Sequence, residues 1–95
     1  MNTFEPMTQG QLNSLFEKLG FHLTVIENGP HVWENPQFDA LMILPALSSD
    51  CPARPHHLMT LRKTVDEREI VDMETFEKLV EEVRHQNAGS LAKAS

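Results

Sequence analysis

Ninety-five residues, 40% of them apolar, suffice for one compact domain and leave no room for a second. One cysteine, Cys51, excludes an intrachain disulfide and a cysteine zinc cluster; no apolar run reaches the roughly 18 residues of a membrane span, and the first residues show neither the basic nor the apolar region of a secretion leader, so none is expected. The expectation is a soluble cytoplasmic protein whose net charge of −6 opposes a phosphate backbone, with only residues 51–69 carrying more basic groups (four) than acidic ones (three).

The first seven residues read as an extension, and residues 8–84 as the domain. Thr8-Gln9-Gly10-Gln11 has the form of a capping box, with Met7 and Leu12 at the positions of a hydrophobic staple. Leu12, Leu15, Phe16 and Leu19 then repeat at helical spacing, and Gly20 supplies the left-handed residue that ends the helix.

Phe21 to Ile26 alternates with β-branched and aromatic members, predicting a strand that buries Phe21, Leu23 and Val25. Asn28-Gly29-Pro30 forms a turn, because Asn-Gly favours positive φ and Pro30 removes a ladder donor. A second strand, His31 to Glu34, follows, then a turn at Asn35-Pro36-Gln37. The third run, Ala40-Leu41-Met42-Ile43-Leu44, is apolar throughout, which predicts a central strand covered on both faces and stopped by Pro45.

Residues 45–55 hold three prolines and Ser48-Ser49-Asp50, so they form the longest irregular connection. Leu58, Leu61 and Val65 mark a helix over about residues 55–68, with Arg62 and Lys63 away from its apolar side. Asp72 caps a third helix whose buried stripe is Phe76, Leu79, Val80 and Val83, with Glu74–Lys78 and Lys78–Glu82 as solvent-side pairs. The small polar residues of 85–95 lack periodicity and predict a disordered tail. The order α-β-β-β-α-α predicts a two-layer α+β sandwich: a three-stranded antiparallel meander covered by helices, an arrangement similar to double-stranded RNA binding domains.

Several side chains carry chemistry. Arg54, His56, His57, Arg62 and Lys63 cluster in sequence, and His56 and His57 at a helix start suit an anion better than a metal, since adjacent helical residues diverge by about 100°. Trp33 alternates with His31 on one strand; on an open face it would offer a stacking surface, and under a helix it would be core. Cys51 in the proline-rich loop reads as an inert thiol.

Leu19-Gly20-Phe21, Gly29-Pro30-His31, Met42-Ile43-Leu44-Pro45 and Arg54-Pro55 with Leu58 and Leu61 together resemble the HicA toxin family, small RNA-cleaving proteins of bacterial toxin–antitoxin pairs, over about residues 12–83. The resemblance implies a fold like that of double-stranded RNA binding domains and places His31 where the family has its catalytic histidine. Without any cofactor or metal, an imidazole there would act as general acid or base while a 2′-hydroxyl attacks the adjacent phosphorus, leaving a 2′,3′-cyclic phosphate and a 5′-hydroxyl. Trp33 and the cluster Arg54, His56, His57, Arg62 and Lys63 would bind the RNA, and a HicB-like antitoxin would cover His31. The acidity of the chain supports a different expectation, a non-catalytic protein-interaction module with the same fold. Two free sheet edges also allow a homodimer by strand pairing.

Overall fold

A computed structural model describes the backbone of residues 7–94 and the side chains of residues 7–85. The elements run α1 (Gln9–Lys18), β1 (His22–Val25), β2 (His31–Asn35), β3 (Ala40–Leu44), α2 (Pro55–Glu67) and α3 (Met73–Ala94), with a 3₁₀ turn at Pro36–Phe38. The sheet is an antiparallel meander in the order β1-β2-β3, and the helices pack on it as an α+β fold. Apart from Met7, the expected N-terminal extension lies outside the described residues.

Both signals predicted for α1 operate. Thr8 Oγ1 accepts the Gln11 amide at 3.1 Å while Gln11 Oε1 accepts the Thr8 amide at 2.8 Å, so two orphan donors are satisfied reciprocally. The loop after β3 satisfies two more: the Gln9 amide donates to the Cys51 carbonyl at 2.7 Å and the Gly10 amide to the Ser49 carbonyl at 2.9 Å. The irregular 45–55 segment therefore completes the start of α1.

At the other end Gly20 adopts φ +91°. Its amide donates to the Glu17 carbonyl, and the Phe21 amide reaches back to the Phe16 carbonyl at 3.0 Å, the paired bonds of a Schellman motif. Phe21 then meets Phe16 edge to face at 5.2 Å. Helix α2 ends the same way without a glycine: Glu69 takes φ +53°, and the Ile70 amide donates to the Val65 carbonyl.

Strand register sorts the sheet residues into two sets. Leu23 pairs with Trp33 and Trp33 with Met42; Val25 pairs with His31 and His31 with Leu44. Directly opposed residues share a face, so Trp33, Asn35, Ala40, Met42 and Leu44 face the helices and are buried with Phe16, Leu61, Phe76 and Val80. Val32, Glu34, Leu41 and Ile43 form the opposite face.

Three expectations are corrected. Only Phe21 of the first predicted strand is buried, and it precedes β1; Leu23 and Val25 are exposed because the helical layer does not extend over this edge strand. β3 is an edge strand covered on one face, with Leu41 54% and Ile43 60% exposed. Its five apolar residues hide an alternation that in most half-buried strands shows as apolar and polar in turn. Finally, the backbone of α3 continues to Ala94 through the segment expected to be disordered. Alanine, leucine and lysine propagate a helix already nucleated, even without an amphipathic pattern.

Candidate functional site

His31 opens β2 immediately after the hairpin turn. In that turn Asn28 alone adopts positive φ, at 58°, and the Gly29 amide donates to the Ile26 carbonyl at 2.9 Å. Gly29 contributes space and not a positive φ: a Cβ there would stand 2.9 Å from Ile26 Cγ2, so that exposed side chain would have to shift. Pro30 is exposed at the strand entry. The imidazole of His31 is half-buried and, among the described residues, engages no hydrogen bond or ion pair.

Trp33 shares the His31 face, as alternation predicts, but it is 1% exposed and stacks on Phe16 with ring centroids 4.6 Å apart and planes 6° from parallel. The helices covering β2 leave no aromatic surface there for a base. Trp33 is therefore a core residue, which corrects its expected place in a substrate-binding surface.

The basic cluster lies on and just before α2, beside β3. Pro55 is the first residue of α2, where its missing donor costs nothing, and Arg54 precedes it in an extended conformation. Arg54 and His56 are exposed. Arg62 Nε lies 3.5 Å from Glu77 Oε2 of α3, and Lys63 Nζ lies 4.0 Å from Glu67 one turn on, so both cations already have carboxylate neighbours. Side chains of His56, Met59, Thr60, Arg62, Lys63 and Asp66 border a shallow cleft of about 430 Å³ on the outer side of α2.

A second cleft, of about 370 Å³, separates β3 from the start of α2. Leu41–Leu44 make one wall; His56, His57 and Thr60 make the other. His57 is 8% exposed, its ring meets that of His56 at 4.3 Å, and its Nδ1 is buried without a hydrogen-bond partner. Burial holds its pKa below the ordinary histidine value, and the neighbouring His56 and Arg54 push it the same way, so the ring stays neutral near pH 7. His31 lines neither cleft.

Cys51 is half-buried with Sγ 3.2 Å from Ser48 Oγ, whose hydroxyl also lies 2.7 Å from Asp50 Oδ1. Its carbonyl, by capping α1, performs the structural work at this position. Among the described residues no three histidine, cysteine, aspartate or glutamate side chains converge as a metal site requires, and no helix is long and apolar enough to cross a membrane.

Sequence reasoning missed Leu41 and Ile43 as surface residues and missed the cleft along β3. The only available signal was negative, the absence of any charge or proline between Ala40 and Leu44. Comparison with protein-family models, with curated proteins and with solved structures returns no match.

Proposed function

We propose that this protein is a non-catalytic interaction module that offers the open face of its sheet to a protein partner. The observation that carries this reading is the pair Leu41 and Ile43, two large apolar side chains more than half exposed on one face of an edge strand, with half-buried Val32 opposite Ile43. Leu23 and Val25 of β1 are exposed too, but their register partners Trp33 and His31 put them on the other face of the sheet, outside this patch. Contiguous apolar surface of this kind marks association sites more often than scattered single residues do. Net charge of −6 and carboxylates beside Arg62 and Lys63 weigh against a nucleic-acid partner. The cytoplasm, where Cys51 stays reduced, is the compartment that fits this reading.

The test is capture of a stoichiometric protein from the native host by the full chain, compared with a Leu41→Asp/Ile43→Asp double variant shown by circular dichroism to be folded. The reading expects capture by the parent and loss in the variant. Equal capture by both would rule out the open face.

A second reading follows the resemblance to HicA-like toxins: His31 as general acid or base in RNA cleavage, with a HicB-like antitoxin as its cover. It is favoured by one observation, that the half-buried imidazole has no competing bond among the described residues. Cleavage of mixed RNA in the presence of chelator, present in the parent and abolished by His31→Ala, is its expected result.

A further inference from the structure

We infer that the cleft between β3 and α2 accepts an extended strand of the protein partner, which pairs its main chain with β3 and turns acidic side chains toward His56, His57 and Thr60. This deepens the interaction-module reading and rests on it. Three observations combine.

First, β3 ends the sheet on this side. Among the described residues no backbone or side-chain group bonds to the outward N–H and C=O groups of Ala40–Leu44. Alternate residues of an antiparallel edge strand direct both groups outward, and Leu41–Leu44 offer about 13 Å of such edge. Edges are ordinarily blunted by charge, proline or a bulge, and this strand has no charged residue or proline within it.

Second, the edge faces a built wall. The first turns of α2 stand across the cleft, so an incoming strand would be held on two sides, as in recognition by strand addition, where main-chain bonds give affinity and alternate side chains give selectivity.

Third, the two walls differ in chemistry, and that fixes the occupant. Leu41 and Ile43 continue the apolar open face, whereas the α2 side presents the hydrogen-bonding groups of His56, His57 and Thr60, with the exposed Arg54 close enough to His57 to act on its charge. His57 lines the same wall with its Nδ1 buried and unpartnered, and the exposed imidazole of His56 and hydroxyl of Thr60 can donate to a carboxylate. A strand has period two. Its residues on one face therefore extend the Leu41 and Ile43 patch, and those on the other meet the imidazoles, so the matching partner alternates apolar and acidic residues.

The test uses the full chain and a short capped peptide alternating valine and glutamate, titrated at low salt near pH 7 and followed through amide chemical shifts and peptide fluorescence anisotropy. Controls are the same peptide with lysine for glutamate, and two versions N-methylated at all valines or at all glutamates. The expected result is saturable binding that perturbs Leu41–Leu44, is weakened about tenfold or more by lysine, and is lost with one N-methylated set only. Thr60→Phe, an exposed position that would fill the cleft, should weaken binding to a similar degree. No saturation by the glutamate peptide, equal binding of the lysine peptide, or indifference to both N-methylated sets overturns the inference. So does a stable homodimer through β3 in sedimentation. If Thr60→Phe leaves capture of the host partner intact while Leu41→Asp/Ile43→Asp removes it, strand addition fails and the open-face reading stands.

Discussion

Trp33 of β2 lies flat on Phe16 of α1, with ring centroids 4.6 Å apart and planes 6° from parallel. Phe16 meets Phe21 edge to face on its other contact, so three aromatic rings join the helix, its terminal turn and the sheet. Trp33→Ala should cost about 3–5 kcal/mol in denaturant unfolding, the range for removing a large buried aromatic. Emission from the sole tryptophan should be blue-shifted in the folded protein and unmoved by added RNA. A red-shifted native spectrum would contradict the stacked, buried placement.

Asn35 ties the far end of β2 to the end of α1, donating its buried Nδ2 to the Leu19 carbonyl at 3.0 Å. Asn35→Ala leaves that carbonyl without its partner and should lower stability by about 1–3 kcal/mol. Gly20→Ala disturbs the same junction by another route, since its φ of +91° strains any L side chain and the new Cβ would meet Asn35 Nδ2 at 3.3 Å. The strain alone should cost about 1–2 kcal/mol. Because the two positions touch, thermal denaturation of the double variant should show less than the sum of the single losses.

Glu69 offers the opposite sign. It is exposed and held at φ +53° to close α2, a conformation glycine reaches without a Cβ clash. Glu69→Gly should therefore raise stability by up to about 1 kcal/mol once the greater freedom of unfolded glycine is deducted from the relieved strain. A lower melting temperature for this variant would show that the Glu69 side chain matters more than its backbone.

His57 makes stability depend on pH. Burial is the main cause of its lowered pKa, with His56 and Arg54 adding to it, while Leu41–Leu44 across the cleft carry no titratable group. Below the ordinary histidine value of 6.5 the unfolded chain takes up a proton that the folded ring resists. The unfolded state then binds more protons, so stability falls as pH drops from about 6.5 toward the folded pKa and levels off beneath it. Denaturant midpoints measured across this window should fall less steeply in His57→Leu than in the parent.

Much of the architecture was legible because local chemistry and tertiary structure agree. The Thr8 capping box, the Gly20 stop, the Asn28-Gly29 turn and the Leu58, Leu61 and Val65 stripe depend on contacts within a few residues or on simple periodicity. Where the sequence misled, the missing information was which layer lies above a given strand. An all-apolar strand reads alike whether its second face is covered or bare. Lys78 illustrates the same limit on a helix: it pairs with Glu74 as its spacing implies, but Glu82 turns instead to Lys18 of α1 at 3.5 Å, a neighbour supplied by packing.

The sequence by itself determined the element order, the two ends of α1, the buried stripes of α2 and α3, and an acidic chain with one basic segment. Those features follow from hydrogen bonds and periodicities that span a turn or two. Only the tertiary structure decided that Trp33 is core, that His31 stands apart from the basic segment's clefts, that Leu41 and Ile43 face outward, and that His57 closes one wall of a cleft along the outer edge of β3. Each of those depends on which surfaces the helices cover, and burial against a remote part of the chain is set by the whole packing arrangement.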